Sequence, residues 1–312
     1  MKQTFILLIV VLVALSSGCS FKRLAANKIG DALAGGGSSL ASEDDPELVR
    51  AAAPFSLKLM ESVLAESPQH VGLLTAASSG FTQFAYAFVQ QDAEEMEGKD
   101  FETAEQLKAR ARRLYLRARN YGLRGLESSH ARFEQALRAD PKRTVGILAV
   151  KDVPLVYWTA VSWAGAISLS KDRPELIAEL PIVEALMDRA LVLDEKFGAG
   201  AIHSFMITYE MSRQGGQGDP ATRSRQHFDR AMALSEGHQA GPLLALAEAV
   251  CIQTQNAKEF ESLLNRALAI NVDARPEWRL SNLIMQRRAK WLLARTDELF
   301  LRPATSPGKT SE

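Results

Sequence analysis

The sequence is poor in cysteine, with 2 cysteines among its 312 residues. This number excludes a disulfide scaffold and a cysteine-rich metal site. The chain also has no excess charge, because 37 lysines and arginines balance 37 aspartates and glutamates. A neutral chain gives no support for general nucleic-acid binding. The apolar share of 46% is sufficient for a large core, in one domain or in two.

The residue patterns of catalytic and metal sites are also missing. The histidines form no i,i+4 pair and no HExxH motif; they are His70, His130, His203, His227 and His238. Residues 215–218 are rich in glycine, but they follow no strand pattern and precede no Lys-Ser/Thr, so they are not a phosphate-binding loop. Cys251 lies in an apolar segment without a recognisable base, which favours an inert buried thiol. We therefore predict no catalytic residue, no metal and no cofactor.

The stretch 72–91, GLLTAASSGFTQFAYAFVQQ, organises the rest of the chain. Its apolar residues fall on every face of a 3.6-residue helix, so such a helix must be covered on all sides. Polar residues in its middle lower the hydropathy well below that of a membrane span. We therefore predict a buried central helix with other helices wrapped round it. Gly80, among several small residues, predicts a close contact with a neighbouring helix.

The N-terminus has the features of an export signal. Lys2 is followed by an apolar run over residues 5–15, which is too short for a stable span, and residues 15–19 read Leu-Ser-Ser-Gly-Cys. This order is typical of a bacterial lipoprotein signal in which Cys19 is lipidated, although its leucine stands one residue further from Cys19 than in the best signals. The alternative is an ordinary secretory signal that ends near a cysteine. We expect a signal peptide over 1–18 and a lipidated N-terminus and linker over 19–45, anchored by acyl chains.

Residues 46–302 read almost entirely as helix, which predicts an all-α fold, and residues 303–312 as a disordered tail. Five segments share a large apolar residue, a small or β-branched residue three positions later, an apolar residue and a polar turn residue. The middle positions of these segments are Val63, Ala136, Ala190, Ala231 and Ala267. The pattern resembles a degenerate tetratricopeptide repeat. It predicts an array of helical hairpins whose first helices cover residues 72–91, 152–170, 198–213 and 241–255, with an amphipathic helix over 276–301 as the cap. The Gly/Ser stretch at 35–39 is either a tether or a fixed turn before this array.

A run of arginines is the strongest charge feature. Its members are Arg110, Arg112, Arg113, Arg117, Arg119 and Arg124, with leucines and tyrosines between them. One interpretation is a charged face that pairs with the acidic run at 92–105. The other is a surface that docks an acidic partner or lines a path for anions. The sequence leaves both open.

Several blocks together resemble a known family, the T component of tripartite ATP-independent periplasmic (TRAP) transporters, or TatT family. The blocks are the lipoprotein signal, PFSLKL at 54–59 with Pro68 and His70, GFTQFAYAFV at 80–89, and RLYLRARNYGLRGL at 113–126. The resemblance covers roughly residues 19–301. It implies a lipoprotein that faces the periplasm, forms a homotrimer, contains a cavity or pore, and has no catalytic activity.

The resemblance also implies the function. We expect an accessory component of a TRAP uptake system, anchored in the outer membrane, that binds the periplasmic solute-binding protein and a small apolar or organic-acid ligand. The residues expected at the partner surface or ligand path are Phe81, Gln83, Tyr86, Arg113, Arg117, Tyr121 and Arg124. The alternative is a tetratricopeptide-type scaffold for outer-membrane assembly.

Overall fold

A computed structural model describes residues 25–301, without the side chains of residues 37 and 38. Cys19, the signal peptide over 1–18 and the tail over 303–312 lie outside the described residues. Within these bounds the chain contains helices, turns and no strand, which confirms the predicted all-α class. The chain divides between Asp194 and Glu195 into two compact units.

The first unit opens with helical residues 25–35 and the short helix Gly37–Ala41. Its further α-helices are α1 (Pro46–Glu66), α2 (Val71–Phe84), α3 (Gln91–Met96), α4 (Phe101–Ser129), α5 (Phe133–Ala139), α6 (Pro141–Thr144), α7 (Val153–Ser168), α8 (Pro174–Ile177) and α9 (Leu180–Leu193). A π-helical segment, Ala85–Gln90, joins α2 to α3, and the 3₁₀ turns Val145–Ile147 and Val150–Asp152 connect α6 to α7.

Residues Val71 to Met96 form one uninterrupted helical stretch, as predicted for residues 72–91. It packs against α1, α4 and α7. Leu73, Leu74 and Ala77 are completely buried, whereas Gln83 is exposed, so the helix is covered on most sides rather than on all. No single helix in the described part of the chain has the length and hydropathy of a membrane span. In that part of the chain, only the two segments Pro141–Ile147 and Val150–Ser168 taken together are long and apolar enough for a span, and the chain bends by 110° between them.

Local signals in the sequence set the helix ends. Asp45 precedes Pro46, and its carboxylate accepts hydrogen bonds from the backbone N–H groups of Glu47 and Leu48, which begins α1. Asp100 begins α4 in the same way by accepting from the Thr103 N–H. These acidic caps occupy the positive ends of the helix dipoles, which stabilises both helices.

His70 fixes the first helical residues to the start of α2. Its Nδ1 accepts from the Leu73 N–H at 3.1 Å, so Nε2 carries the hydrogen that faces the Asn27 carbonyl at 3.2 Å and Asp31 Oδ1 at 3.2 Å. Gly30 lies so close that a Cβ would come within 2.8 Å of the His70 ring. Helical residues 25–35 therefore belong to the folded unit. The Gly/Ser stretch that follows forms a turn at Gly36 and a short helix.

The second unit begins with the 3₁₀ turn Phe197–Ala199. Its α-helices are α10 (Ala201–Glu210), α11 (Pro220–Leu234), α12 (Gly241–Leu246), α13 (Ala257–Leu268), α14 (Arg279–Leu293) and α15 (Thr296–Leu299). A π-helical segment, Ala247–Cys251, extends α12, and the 3₁₀ turn Pro276–Trp278 precedes α14. Its core is apolar and includes Leu243, Val250, Phe260 and Leu264.

The middle residues of the repeat pattern differ in their surroundings. Ala190, Ala231 and Ala267 are completely buried, and the Cα of Ala231 lies 3.1 Å from where a Cβ on Gly200 would stand. Ala231 therefore allows a neighbouring chain segment to approach closely, as expected for the small residue of the pattern. Ala136 is exposed, so α5 presents its buried Phe133 and Leu137 to the core instead. The tetratricopeptide-like arrangement of the array stays a prediction.

Candidate partner-binding site on α4

The sequence of α4 concentrates positive charge on one long helix. Residues 106–126 include six arginines and Lys108 and no acidic residue. Leucine, tyrosine and alanine side chains between them pack α4 against α2 and α7. Because an α-helix turns about 100° per residue, the arginines separate onto two sides of α4.

Arg112 and Arg119 face the side of α7 and have structural partners. Arg112 donates to the Leu169 carbonyl at 3.2 Å and lies 3.7 Å from Asp172 Oδ1. Arg119 lies 3.4 Å from Glu179 Oε2, and its guanidinium stands 4.9 Å from the centre of the Trp163 ring. Both arginines therefore stabilise the fold of the first unit.

Arg110, Arg113, Arg117 and Arg124 lie on the opposite side of α4, and all four are exposed. We call this set the arginine row. Their positions, i, i+3, i+7 and i+14, keep them within about 60° of one another round the helix. Between Arg110 and Arg124 the helix rises by about 21 Å.

Three members of the arginine row rest on aromatic rings. The guanidinium of Arg110 is 6.0 Å from the Phe84 ring centre, that of Arg117 is 5.4 Å from Phe81, and that of Arg124 is 5.4 Å from Tyr121. Cation–π contacts of this kind favour a fixed position of the guanidinium. The rings of Phe81 and Tyr121 are themselves stacked, with centroids 5.8 Å apart.

Glu61 of α1 is the acidic residue beside the arginine row. It accepts a 2.7 Å hydrogen bond from the Tyr121 hydroxyl, pairs with Lys58, and lies 3.6 Å from Arg117 Nη1. Partial burial alone would raise the pKa of Glu61, but the hydrogen bonds from Lys58 and Tyr121 and the charge of Arg117 outweigh it and lower this pKa. Burial, reinforced by Glu61, raises the pKa of Tyr121. Glu61 is therefore a carboxylate that holds Arg117 and Tyr121 in place.

The residues predicted from the sequence are only partly brought together. Phe81, Arg117, Tyr121 and Arg124 form one cluster, and Arg113 stands exposed beside it on α4. Gln83 and Tyr86 follow Phe81 within the helical stretch Val71 to Met96. Gln83 is exposed and Tyr86 is half-buried, and neither takes part in the contacts of this cluster described above.

Sequence reasoning missed Glu61 and Lys58, because nothing in the sequence links α1 to α4 across 60 positions.

The acidic run at 92–105 is not the partner of the arginines whose ion pairs the structure describes. Arg112, Arg117 and Arg119 pair with Asp172, Glu61 and Glu179, all outside that run. Members of the run pair instead with other cations: Asp92 with Arg50, and Glu97 and Glu105 with Lys108. The first interpretation of the basic helix is therefore wrong for these three arginines.

The described residues contain no group of three or more histidine, cysteine or acidic side chains able to hold a metal ion. Cys251 is completely buried, and burial together with the nearby Glu259 raises the pKa of its thiol to about 12. A thiol with so high a pKa is a poor nucleophile, as the sequence predicted.

A pair of histidines, with His203 buried and His227 partly buried, joins α10 to α11. The Nδ1 atoms of His203 and His227 are 2.9 Å apart, so one hydrogen is shared between them. On the outer sides, His203 Nε2 is 3.4 Å from Glu195, and His227 Nε2 is 4.0 Å from Glu210. Burial lowers the pKa of both imidazoles despite these acids, and for His227 the charge of His203 adds to the effect.

The histidine pair predicts a loss of stability in mild acid. Both folded-state pKa values lie below the ordinary 6.5. Well above pH 6.5 the imidazoles are unprotonated in both the folded and the unfolded protein, so the pair does not make the free energy of unfolding depend on pH there. As pH falls below 6.5, the unfolded chain takes up protons first, and the free energy of unfolding therefore decreases. We expect the melting temperature to fall between pH 7 and pH 5 more steeply in the wild type than in His227→Gln.

Thermal melts across this range test the prediction. His238→Gln removes an imidazole of the same unit outside the pair and controls for the loss of a histidine. Parallel curves for wild type and His227→Gln would contradict the role of the pair.

Comparison with known proteins gives two matches along nearly the whole length. A family model described as "TRAP transporter T-component" matches residues 42–300. An uncharacterized protein of Treponema pallidum (strain Nichols) is 28% identical over an alignment of 305 positions, which covers 92% of this chain and 94% of that protein. The matched regions include α1, α2 and α4, which carry the arginine row and Glu61.

Proposed function

The chain belongs to the TRAP transporter T-component family, and from this premise we propose that it is the accessory, non-catalytic component that binds the periplasmic solute-binding protein of a TRAP uptake system. The observation that carries the proposal is the family match over residues 42–300. An exposed, positively charged side of α4 supports it, since such a surface suits a protein partner. A small apolar or organic-acid ligand of the same uptake system belongs to this proposal.

The proposed location is the periplasmic side of the outer membrane, with an acyl anchor on Cys19 and assembly as a homotrimer. The family resemblance and the lipoprotein signal support this location. Replacing the lipidated cysteine should therefore release the protein from the membrane. We expect Cys19→Ala to be soluble or uncleaved and to take up no radiolabelled fatty acid. Labelling of the variant equal to that of the wild type would contradict the anchor.

A pull-down tests the proposed partner. The full-length, tagged protein is isolated from detergent-solubilised membranes, and the captured proteins are identified by mass spectrometry. Capture of a periplasmic solute-binding protein, confirmed with the two purified proteins, is the expected result. Capture of outer-membrane assembly proteins without a solute-binding protein would overturn the proposal in favour of a scaffold.

A further inference from the structure

The arginine row carries positive charge that the described part of the fold does not neutralise. Lys108, Arg112 and Arg119 on α4 have acidic partners, and so does Arg117 through Glu61. Arg110, Arg113 and Arg124 have no ion pair among the described residues. Since the whole chain is neutral, this positive surface is local rather than general.

The positions of the guanidinium groups are restricted before any partner arrives. Arg110, Arg117 and Arg124 lie over aromatic rings, and Arg124 also donates to the Pro68 carbonyl at 3.1 Å. A guanidinium stacked on a ring keeps N–H groups at its edge that can bind a carboxylate through two hydrogen bonds. Fixed side chains lose less entropy on binding, which favours affinity.

We propose that the arginine row is the docking surface for an acidic face of the periplasmic solute-binding protein. This inference rests on the proposed function and adds the surface and the chemistry to it. Carboxylates of aspartates and glutamates on the partner would bind the row along about 21 Å of one rigid helix. That length fits a standard protein interface, which buries about 800 Å² on each partner.

The composition of the surface favours a protein over a lipid headgroup layer. Glu61 lies beside Arg117, and its lowered pKa keeps it as a fixed negative charge within the positive surface. Surfaces that bind one another as proteins commonly carry both signs of charge in fixed register.

The test reverses the charge of the three arginines without an ion pair, in Arg110→Glu/Arg113→Glu/Arg124→Glu. Arg117 is left unchanged because it pairs with Glu61. The matched control is Lys142→Glu/Arg143→Glu/Lys151→Glu, which changes the net charge equally at exposed positions of the same unit. Association with the purified solute-binding protein is measured by stopped flow at about 0.01 M and 0.15 M salt, where the Debye lengths are about 30 Å and 8 Å.

We expect the wild-type association rate to fall as salt rises, and the row variant to associate at least about 10-fold more slowly at low salt. The control should associate at nearly the wild-type rate, and all three proteins should melt within about 2 °C of one another. Equal rates for the row variant and the wild type would overturn the docking surface while leaving the proposed function intact. Failure of the wild type to bind would overturn the proposed function itself.

Sedimentation with lipid vesicles tests whether the arginine row binds a membrane surface instead of a protein. If the wild type co-sediments with vesicles containing anionic phospholipid, and the row variant does not, the row binds a membrane and the proposal is wrong. We expect both proteins to sediment to the same extent, because the acyl anchor on Cys19 is the same in both.

Discussion

Replacing Gly122 by alanine is expected to destabilise the first unit by about 3 kcal/mol, which lowers its melting temperature by about 6–12 °C. Gly122 lies where α4 crosses α7. An added Cβ would stand 2.1 Å from Thr159 Oγ1, 3.0 Å from Thr159 Cβ and 3.2 Å from Ser78 Oγ. Thr159 is completely buried and donates to the Leu155 carbonyl at 2.6 Å, so rotation of its side chain would break a buried hydrogen bond. The helices must therefore separate.

Two further variants make this test specific. Gly146→Ala adds a methyl group at a position in the same unit where a Cβ meets nothing within 4 Å, and it should melt close to the wild type. Combining Gly122→Ala with Thr159→Ala removes the Oγ1 atom and should recover part of the loss. A melting temperature of Gly122→Ala equal to that of Gly146→Ala would show that the helices are not in close contact.

Replacing Glu210 by alanine is expected to destabilise the second unit by about 2–3 kcal/mol, or about 10–15 °C in melting temperature. The Glu210 side chain is only 4% exposed, and it pairs with Arg213 at 3.0 Å and with Arg223. Arg223 also donates to the carbonyls of Gln217 and Gly218 at 2.8 Å, which fixes the loop between α10 and α11. Without Glu210, two partly buried guanidinium groups lose their counter-charge. The free-energy cost of removing these groups from water is then no longer offset by an ion pair.

An exposed ion pair provides the control for Glu210→Ala. Glu298 is 64% exposed and lies 2.7 Å from Arg295, so Glu298→Ala should cost about 0–1 kcal/mol. Thermal or urea unfolding of the two variants gives the comparison. A loss as small as that of Glu298→Ala would mean that water reaches Glu210 in solution.

The helices were predictable because their signals are local. The aspartate before α1 and the proline at its first position, the apolar run of Val71 to Met96, and the amphipathic pattern of the last helix all depend on neighbouring residues. Periodicity therefore predicted the fold class and the positions of the apolar helices. The division after Asp194 depends on contacts between distant elements, and no local pattern in the sequence indicated it.

The candidate site shows the same limit. Arg113, Arg117 and Arg124 were among the residues expected at the partner surface, and the structure has all three exposed on one side of α4. One interpretation of the sequence assigned the acidic run at 92–105 as their counter-charge. In the structure Arg117 pairs instead with Glu61, which the fold brings to it from α1. Close helix contacts were predicted only in part. Gly80 was expected to be tight, and a Cβ there would stand 2.8 Å from Leu57 Cδ2 of α1, but nothing in the sequence indicated the contact between Gly122 and Thr159.

The attachment of residues 25–35 by His70 has a consequence for reach. Because these residues already belong to the folded unit, only residues 20–24 separate Cys19 from it. Six Cα–Cα steps, even when fully extended, span only about 20 Å. With an acyl chain on Cys19, so short a linker would keep the N-terminal end of the first unit near the lipid surface. A solute-binding protein would then have to come to the membrane surface to meet the first unit, because the anchor could not extend that unit far into the periplasm.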